Sequence, residues 1–187
     1  MAVVIDSITA WREASARLGA LLSTDARRAV DEARQLRGKG AMKESVLMLR
    51  GGILIDGGGQ VADQRAVTEG VQACRKLAAR HPANPTMRYN LANGLAQLSR
   101  LHAVRGADWY VSSHSERREA RRLFQNVAEE TTERAEQAKA LINLGNELDA
   151  GFRWVEAYDR WVHLSVAELR SHRVQAAVAS PAPRACR

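Results

Sequence analysis

The segment ALINLGNELDAGFRWVEAYDRW, residues 140–161, constrains the fold most strongly, because apolar residues recur with helical spacing on both sides of a glycine. Before Gly151, three leucines and Gly145 fall at positions i, i+3, i+4 and i+7, which is one face of a helix. After Gly151, a second helical face runs from Trp154 to Leu164. Glycine tolerates the positive φ at which many helices end. The segment therefore predicts two helices joined by a tight turn.

The glycines and aromatic residues of this segment are explained together if the two helices cross closely. A glycine in mid-helix, such as Gly145, costs about 1 kcal/mol relative to alanine. That cost is offset if a bulky side chain of the second helix packs on the glycine backbone, and Tyr158 and Trp161 are the candidates. One hairpin cannot bury both of its faces, so further copies are expected along the chain.

Copies of the pattern occur upstream. The segment YNLANGL, residues 89–95, matches INLGNEL, residues 142–148, in the order Asn-Leu-small-Asn-x-Leu. The spacing of the second helix recurs at residues 120–127 and again at residues 70–77. This arrangement resembles the tetratricopeptide repeat, a helical hairpin of about 34 residues. The resemblance is best over residues 138–164, and it is weaker towards the amino terminus.

The resemblance implies an all-α fold, a right-handed α-α superhelix of about eight helices. It implies one repeat domain over residues 1–172, and residues 173–187 are expected to form a flexible basic tail. Two departures mark the repeats as divergent. About sixteen residues are inserted within residues 96–116, and the Gly57-Gly58-Gly59 link is longer than usual.

Helical periodicity predicts the boundaries of the individual elements, and no stretch alternates long enough to require a strand. The first helix is expected to have Asp6 or Ser7 as its cap. Residues 56–60 and 105–115 are read as a flexible link and an inserted loop. The expected helices cover residues 7–22, 23–38, 41–55, 63–80, 85–104, 115–130, 132–150 and 154–171.

Composition indicates a folded, soluble protein. Hydrophobic residues make up 45% of the chain and charged residues 26%, and no apolar run is long enough to span a membrane. The first residues lack the pattern of a secretory signal, and two cysteines cannot build a disulfide framework, so a cytoplasmic location is expected. The net charge of +7 is concentrated at the end, since the residues before Leu169 hold 24 basic and 21 acidic side chains.

The sequence offers weak signals for catalysis or for a metal. The five histidines have no ligand spacing, so neither a metal nor another cofactor is expected. Cys74 occupies an apolar hairpin position, where an inert thiol is usual. Residues 112–115, SSHS, follow Asp108, but no strand-turn-helix elbow would hold them for catalysis. A non-enzymatic protein is predicted.

The asparagines are the candidate binding residues. The resemblance implies that first-helix positions line a concave groove, where asparagine amides hydrogen-bond a bound peptide. Asparagine is a poor helix former, so several in first helices need a reason. Bridging between helices is the equally weighted alternative, and Lys139 and Arg88 could favour an acidic ligand. The candidate peptide-binding residues are Asn90, Asn93, Lys139, Asn143 and Asn146.

Nucleic-acid binding is the main alternative. Arg117, Arg118, Arg121 and Arg122 form a basic strip after Trp109 and Tyr110, and arginine strips bind phosphate. Interspersed glutamates make a solvated, ion-paired face the more common outcome for such a strip. Self-association into a homo-oligomer is left open.

A narrower resemblance rests on the same two asparagine-containing segments. They are similar to the repeat leader that precedes HEPN-type domains in some bacterial proteins. It implies an accessory or leader module of a ribonuclease or defence protein. The stretch RKLAARH, residues 75–81, has the Arg-to-His spacing of such nucleases, but it lies inside a predicted hairpin and lacks a polar residue after Arg75, so no catalysis is predicted there.

Overall fold

The computed structural model describes residues 2–104, 114–150, 155–157 and 160. The described chain is almost entirely helical, which confirms the all-α prediction. Residues 155–157 and 160 are also helical. The elements are β1 (Val3–Ile5), α1 (Ile8–Thr24), α2 (Ala26–Gln35), β2 (Leu36–Gly38), α3 (Met42–Gln60), α4 (Gln64–Arg80), α5 (Pro85–Val104), α6 (His114–Glu130) and α7 (Arg134–Asp149).

The chain divides into two compact units, residues 1–123 and 124–187. In the first unit, α3 is the central helix and packs against α1, α2, α4 and α5. The helices α1, α3 and α5 form one row, and α2 and α4 form a second row behind it. Consecutive helices pack as hairpins, which agrees with the pairing that the sequence predicts.

The hairpin of α3 and α4 has a close crossing made by small residues. A Cβ added at Gly51 would lie 3.2 Å from the Cys74 sulfur, and one added at Gly70 would lie 2.7 Å from Cγ1 of Ile55. Gly58 meets Ala66 at the turn end of the same hairpin. Small side chains at these positions let the two helix backbones approach closely.

The expected flexible link at Gly57-Gly58-Gly59 is wrong, because α3 continues through all three glycines to Gln60. A Cβ at Gly57 would lie 2.9 Å from Cγ2 of Val30, so α2 packs directly on the α3 backbone there. The glycines therefore permit close packing on several sides of one helix. Tertiary packing offsets the low helix propensity of glycine.

No stretch of the sequence requires a strand, yet six residues form two short ones. The strands β1 and β2 form a parallel pair with the register Val3 to Leu36, Val4 to Arg37 and Ile5 to Gly38. Ile5 and Leu36 are each only 1% exposed, so the pair contributes one apolar residue from each strand to the core. Three-residue strands are too short to display the alternation that identifies a strand in a sequence.

Side-chain caps fix the helix starts. Ser7 accepts a hydrogen bond from the Ala10 amide at 3.3 Å, which confirms one of the two caps expected for α1. Asp25 accepts from the Arg28 amide at 3.0 Å, so α2 begins at Ala26 and not at residue 23 or 24. The helix α2 also ends at Gln35 and not at residue 38, because β2 follows directly.

The main core of the first unit lies between the two helix rows. Leu18 from α1, Val30 from α2 and Leu54 from α3 are among its buried members. In the second unit, Leu144, Gly145 and Leu148 are buried on one face of α7, as their spacing predicts. The proposed partners of Gly145, Tyr158 and Trp161, lie outside the described residues.

Candidate binding face

One side of α3 is turned away from α4. Gly51 and Gly58 face α4, because α4 atoms surround the Cβ positions of both glycines. Residues at i, i+4, i+7 and i+11 share a helix face, and one such set lies on the other side of α3. This set consists of Ser45, Leu49, Gly52 and Asp56. Asp56 is exposed, and the other three residues are half-buried.

The helix α5 lies alongside α3 and runs in the same direction. Gly94 of α5 meets Ile55, and one turn later Gln97 covers the Gly59 backbone. Asn93 and Asn90 lie one and two turns before Gln97 on the same side of α5. Both asparagines are half-buried.

The helix α1 borders α3 on its other side. The indole Nε1 of Trp11 donates a hydrogen bond to the Ser45 carbonyl at 3.3 Å, and Leu22 lies against Gly57. The residues of each pair lie about 35 positions apart in the chain. We call the surface formed by the exposed sides of α1, α3 and α5 the row face. The candidate residues Asn90 and Asn93 lie on it.

Asp56 is the charged residue of the α3 set. Its side chain is exposed, yet burial by the surrounding protein raises the pKa of its carboxyl group. Both observations hold together if the carboxylate opens to solvent from the floor of a concave surface, with α1 and α5 on its flanks.

The remaining predicted peptide-binding residues lie on α7, in the second unit. Lys139 is exposed, and Asn143 and Asn146 are half-buried, so the amides are not sealed in a core. The three residues follow one another at i, i+4 and i+7, which places them on one face of α7. That they form a single patch with Asn90 and Asn93 stays a prediction.

The predicted basic strip is divided between the interior and the surface. Arg117 is only 8% exposed, and its Nε donates to Oγ of the fully buried Ser99 at 3.3 Å. Arg121 is half-buried, whereas Arg118 and Arg122 are exposed. Arg117 is therefore a packing residue of the α5–α6 contact and is not available to a phosphate.

The sequence signals for a nucleophile are not supported by the described geometry. Cys74 is buried, and burial, with a smaller effect from the charge of Asp56, raises the pKa of its thiol to about 12. Asp108, Ser112 and Ser113 lie outside the described residues. The Ser115 hydroxyl donates to the adjacent Glu116 at 2.7 Å.

The nuclease-like spacing from Arg75 to His81 does not form a paired site. The Arg75 guanidinium pairs with Glu119 at 2.7 Å. The His81 Nε2 lies 2.8 Å from Glu44. The two side chains are thus used in different helix contacts. Among the described residues, no group of three His, Cys, Asp or Glu side chains could hold a metal ion.

A polar depression of about 760 Å³ lies at the turn between α3 and α4. It is broad and is lined mainly by the first turns of α4. Arg34 binds both Asp63 and Glu69 beside it, with nitrogen-to-oxygen distances of 3.2 Å. These charges already compensate one another, so the depression is a weaker candidate for a binding site than the row face.

Comparison with protein-family models, curated proteins and solved structures returned no match for this chain. The tetratricopeptide and HEPN-leader resemblances, a bacterial origin and a cytoplasmic location therefore stay predictions. No helix in the described part of the chain has the length and apolar character needed to cross a membrane.

The residues that sequence reasoning missed on the row face are Asp56, Gln97 and Trp11. The sequence does not single out Asp56, because residues 56–60 are predicted to form a flexible link and not part of a helix. The spacing of Gly52 and Asp56, one helical turn apart, was the signal that could have found it. No short-range pattern marks Gln97 or Trp11, whose roles come from contacts between helices.

Proposed function

We propose that this chain is a non-enzymatic scaffold that binds a protein or an extended peptide on the row face, as part of a tetratricopeptide-like right-handed superhelix. The observation that supports the proposal best is the parallel placement of α3 and α5. It brings the turn from Gly52 to Asp56 alongside Asn90 and Asn93, on a side of α3 that α4 does not cover.

The chemistry of this face suits an extended peptide. Every peptide residue except proline carries a backbone donor and a backbone acceptor, and a side-chain amide can satisfy one of each. Asn90 and Asn93 are both half-buried, so their side chains are not sealed in the core. Gly52 leaves room between them and α1, because a Cβ placed on it would meet no atom within 4 Å.

The proposal extends to the second unit through the repeat resemblance. Asn143 and Asn146 of α7 occupy the same repeat positions as Asn90 and Asn93, and exposed Lys139 lies one turn before Asn143. In a superhelix, equivalent positions of first helices line one concave surface. We therefore propose the same peptide-binding role for these three residues within the second unit.

The proposal is tested by selecting peptides from a random peptide library on the purified chain. Affinities of the enriched peptides are then measured by fluorescence anisotropy. We expect Asn90→Ala to weaken binding by about 0.5–1.5 kcal/mol, the usual net worth of a hydrogen bond. Gln72→Ala, at an exposed position on α4 in the other row, is the control and should bind like the wild type. Equal losses in both variants, or the absence of any enriched peptide, would contradict the proposal.

The second candidate function is a nucleic-acid-associated accessory. It is favoured by Arg118 and Arg122, which are exposed one turn apart on α6. Phosphate contacts by these residues would make binding of a single-stranded RNA fall steeply with salt. If the chain binds RNA in this way, replacing both arginines with alanine should abolish RNA binding. The same replacement should not change the affinity for a peptide selected on the row face.

A further inference from the structure

Asp56 is an acidic residue of the row face whose side chain is exposed. No hydrogen bond or ion pair reaches its carboxylate from the residues that the structure describes. By contrast, Glu69 is paired with Arg34, and Glu119 is paired with Arg75. The Asp56 carboxylate of the row face has no such pairing with a described residue.

The charge of Asp56 acts on its surroundings. It contributes to the raised pKa of the Cys74 thiol, which lies between α3 and α4. No cation is among the causes that shift the pKa of Asp56 itself, and burial alone accounts for the direction. A carboxylate that loses hydration without gaining a partner is destabilised, and an incoming cation would restore the lost compensation.

Space for an incoming group is present beside the carboxylate. Gly52 lies one turn before Asp56 on the same side of α3, and a Cβ on Gly52 would meet nothing within 4 Å. On the α5 side, the Gln97 side chain lies over Gly59, and its Oε1 accepts from Arg100 at 2.8 Å. The opening is therefore bounded on one side by an amide and has a glycine floor.

We propose that Asp56 is the specificity determinant of the row face, and that it receives the lysine or arginine side chain of a bound peptide. The aliphatic part of such a side chain would lie over Gly52, and its charged end would reach the Asp56 carboxylate. This inference rests on the proposed function. It replaces the expectation of an acidic ligand, for this part of the face, with a basic one.

A peptide cation fits this site better than a metal ion. One carboxylate is too few for a divalent cation, which prefers several oxygen ligands, and no described cluster of acids supplies them. A lysine or arginine needs only one carboxylate and takes its remaining hydrogen bonds from neighbouring amides or water.

The test uses peptides selected from a random library on the wild-type chain and compares them on two variants. The variants are Asp56→Asn and, as a matched control, Asp31→Asn, which removes an exposed carboxylate from α2 in the other row. We expect the selected peptides to share a basic residue. Asp56→Asn should weaken their binding about 10- to 100-fold, as loss of a charge-assisted hydrogen bond does, and Asp31→Asn should leave it unchanged.

A double-mutant cycle then identifies the contact. If the shared lysine or arginine of the peptide is replaced by glutamine, wild-type affinity should fall by a similar factor, and Asp56→Asn should add little further loss. Thermal unfolding checks that each variant is folded.

The possible results separate the two proposals. Peptides that bind the row face without a shared basic residue, and with equal affinity for Asp56→Asn, would overturn the role of Asp56 and leave the peptide-binding function standing. If Asp56→Asn and Asp31→Asn weaken peptide binding equally, the peptide is attracted by the overall charge of the protein, and the specific role of Asp56 is overturned. If no peptide is selected at all, both proposals fail.

Discussion

Gly70 of α4 lies directly against the backbone of α3, where a Cβ added to Gly70 would be 2.8 Å from the carbonyl oxygen of Gly51. The same Cβ would lie 3.1 Å from the backbone nitrogen of Ile55. Backbone atoms inside a helix cannot move aside as the end of a flexible side chain can. This crossing therefore fixes the separation of α3 and α4, and with it the position of the α3 side that forms part of the row face.

Gly70→Ala should consequently destabilise the protein, although alanine is the better helix former. We expect the free energy of unfolding to fall by roughly 1–3 kcal/mol, the usual cost of overpacking. Urea unfolding followed by circular dichroism measures it. Gly52→Ala is the matched control within the adjacent helix, since its Cβ meets open space. It should raise stability by up to about 1 kcal/mol. Equal effects of the two substitutions would show that α3 and α4 do not cross at Gly70.

Arg117 provides a second test, because its burial separates packing from phosphate binding. Arg117→Ala would leave the hydroxyl of fully buried Ser99 without this donor and would remove the packed arginine chain. We expect a loss of about 1–3 kcal/mol in the free energy of unfolding. Arg118→Ala, at an exposed neighbouring position, should change stability by no more than about 0.5 kcal/mol. If Arg117→Ala leaves the free energy of unfolding unchanged, the Arg117 side chain is not buried between α5 and α6.

Cys74 should be chemically inert while the protein is folded. Cys74 is 2% exposed, so a reagent cannot reach its thiol. The pKa of the thiol is raised to about 12, so almost no reactive thiolate is present at neutral pH. In a Cys186→Ser variant, where Cys74 is the only thiol, a disulfide reagent should react slowly until denaturant is added. Rapid labelling of the folded variant at neutral pH, at the rate of a free thiol, would show that the α3–α4 contact opens.

The sequence predicts much of the helical framework because apolar periodicity is a local signal. The α3–α4 hairpin and the buried face of Leu144 and Leu148 follow from it, and Ser7 as a cap follows from the equally local preference for serine at helix starts. Local patterns fail where distant packing decides the outcome. Gly57 reads as a break, but its backbone is helical and packs against Val30 of α2, which only the folded chain brings near.

The candidate site was predictable to a smaller extent, for the same reason. Asn90 and Asn93 are identifiable because they repeat within the chain. Asp56 carries no repeat signature, and its importance depends on lying between two helices that are distant in the sequence. The sequence predicts Arg117 as part of a surface strip, since a run of adjacent arginines contains no information about which one meets Ser99.

The raised pKa of Asp56 gives a prediction about pH. Its carboxyl group holds its proton more tightly in the folded state than the ordinary value of 3.8, so the ionised form opposes folding. The penalty is present above the folded-state pKa, and it disappears as the pH falls through that pKa towards 3.8. Asp56→Asn should therefore raise the melting temperature at pH 7 and lose this advantage as the medium is acidified to about pH 3.8. If Asp56→Asn instead lowers the melting temperature at pH 7, the carboxylate has a stabilising partner in the folded protein, and Asp56 would not be open to a peptide cation.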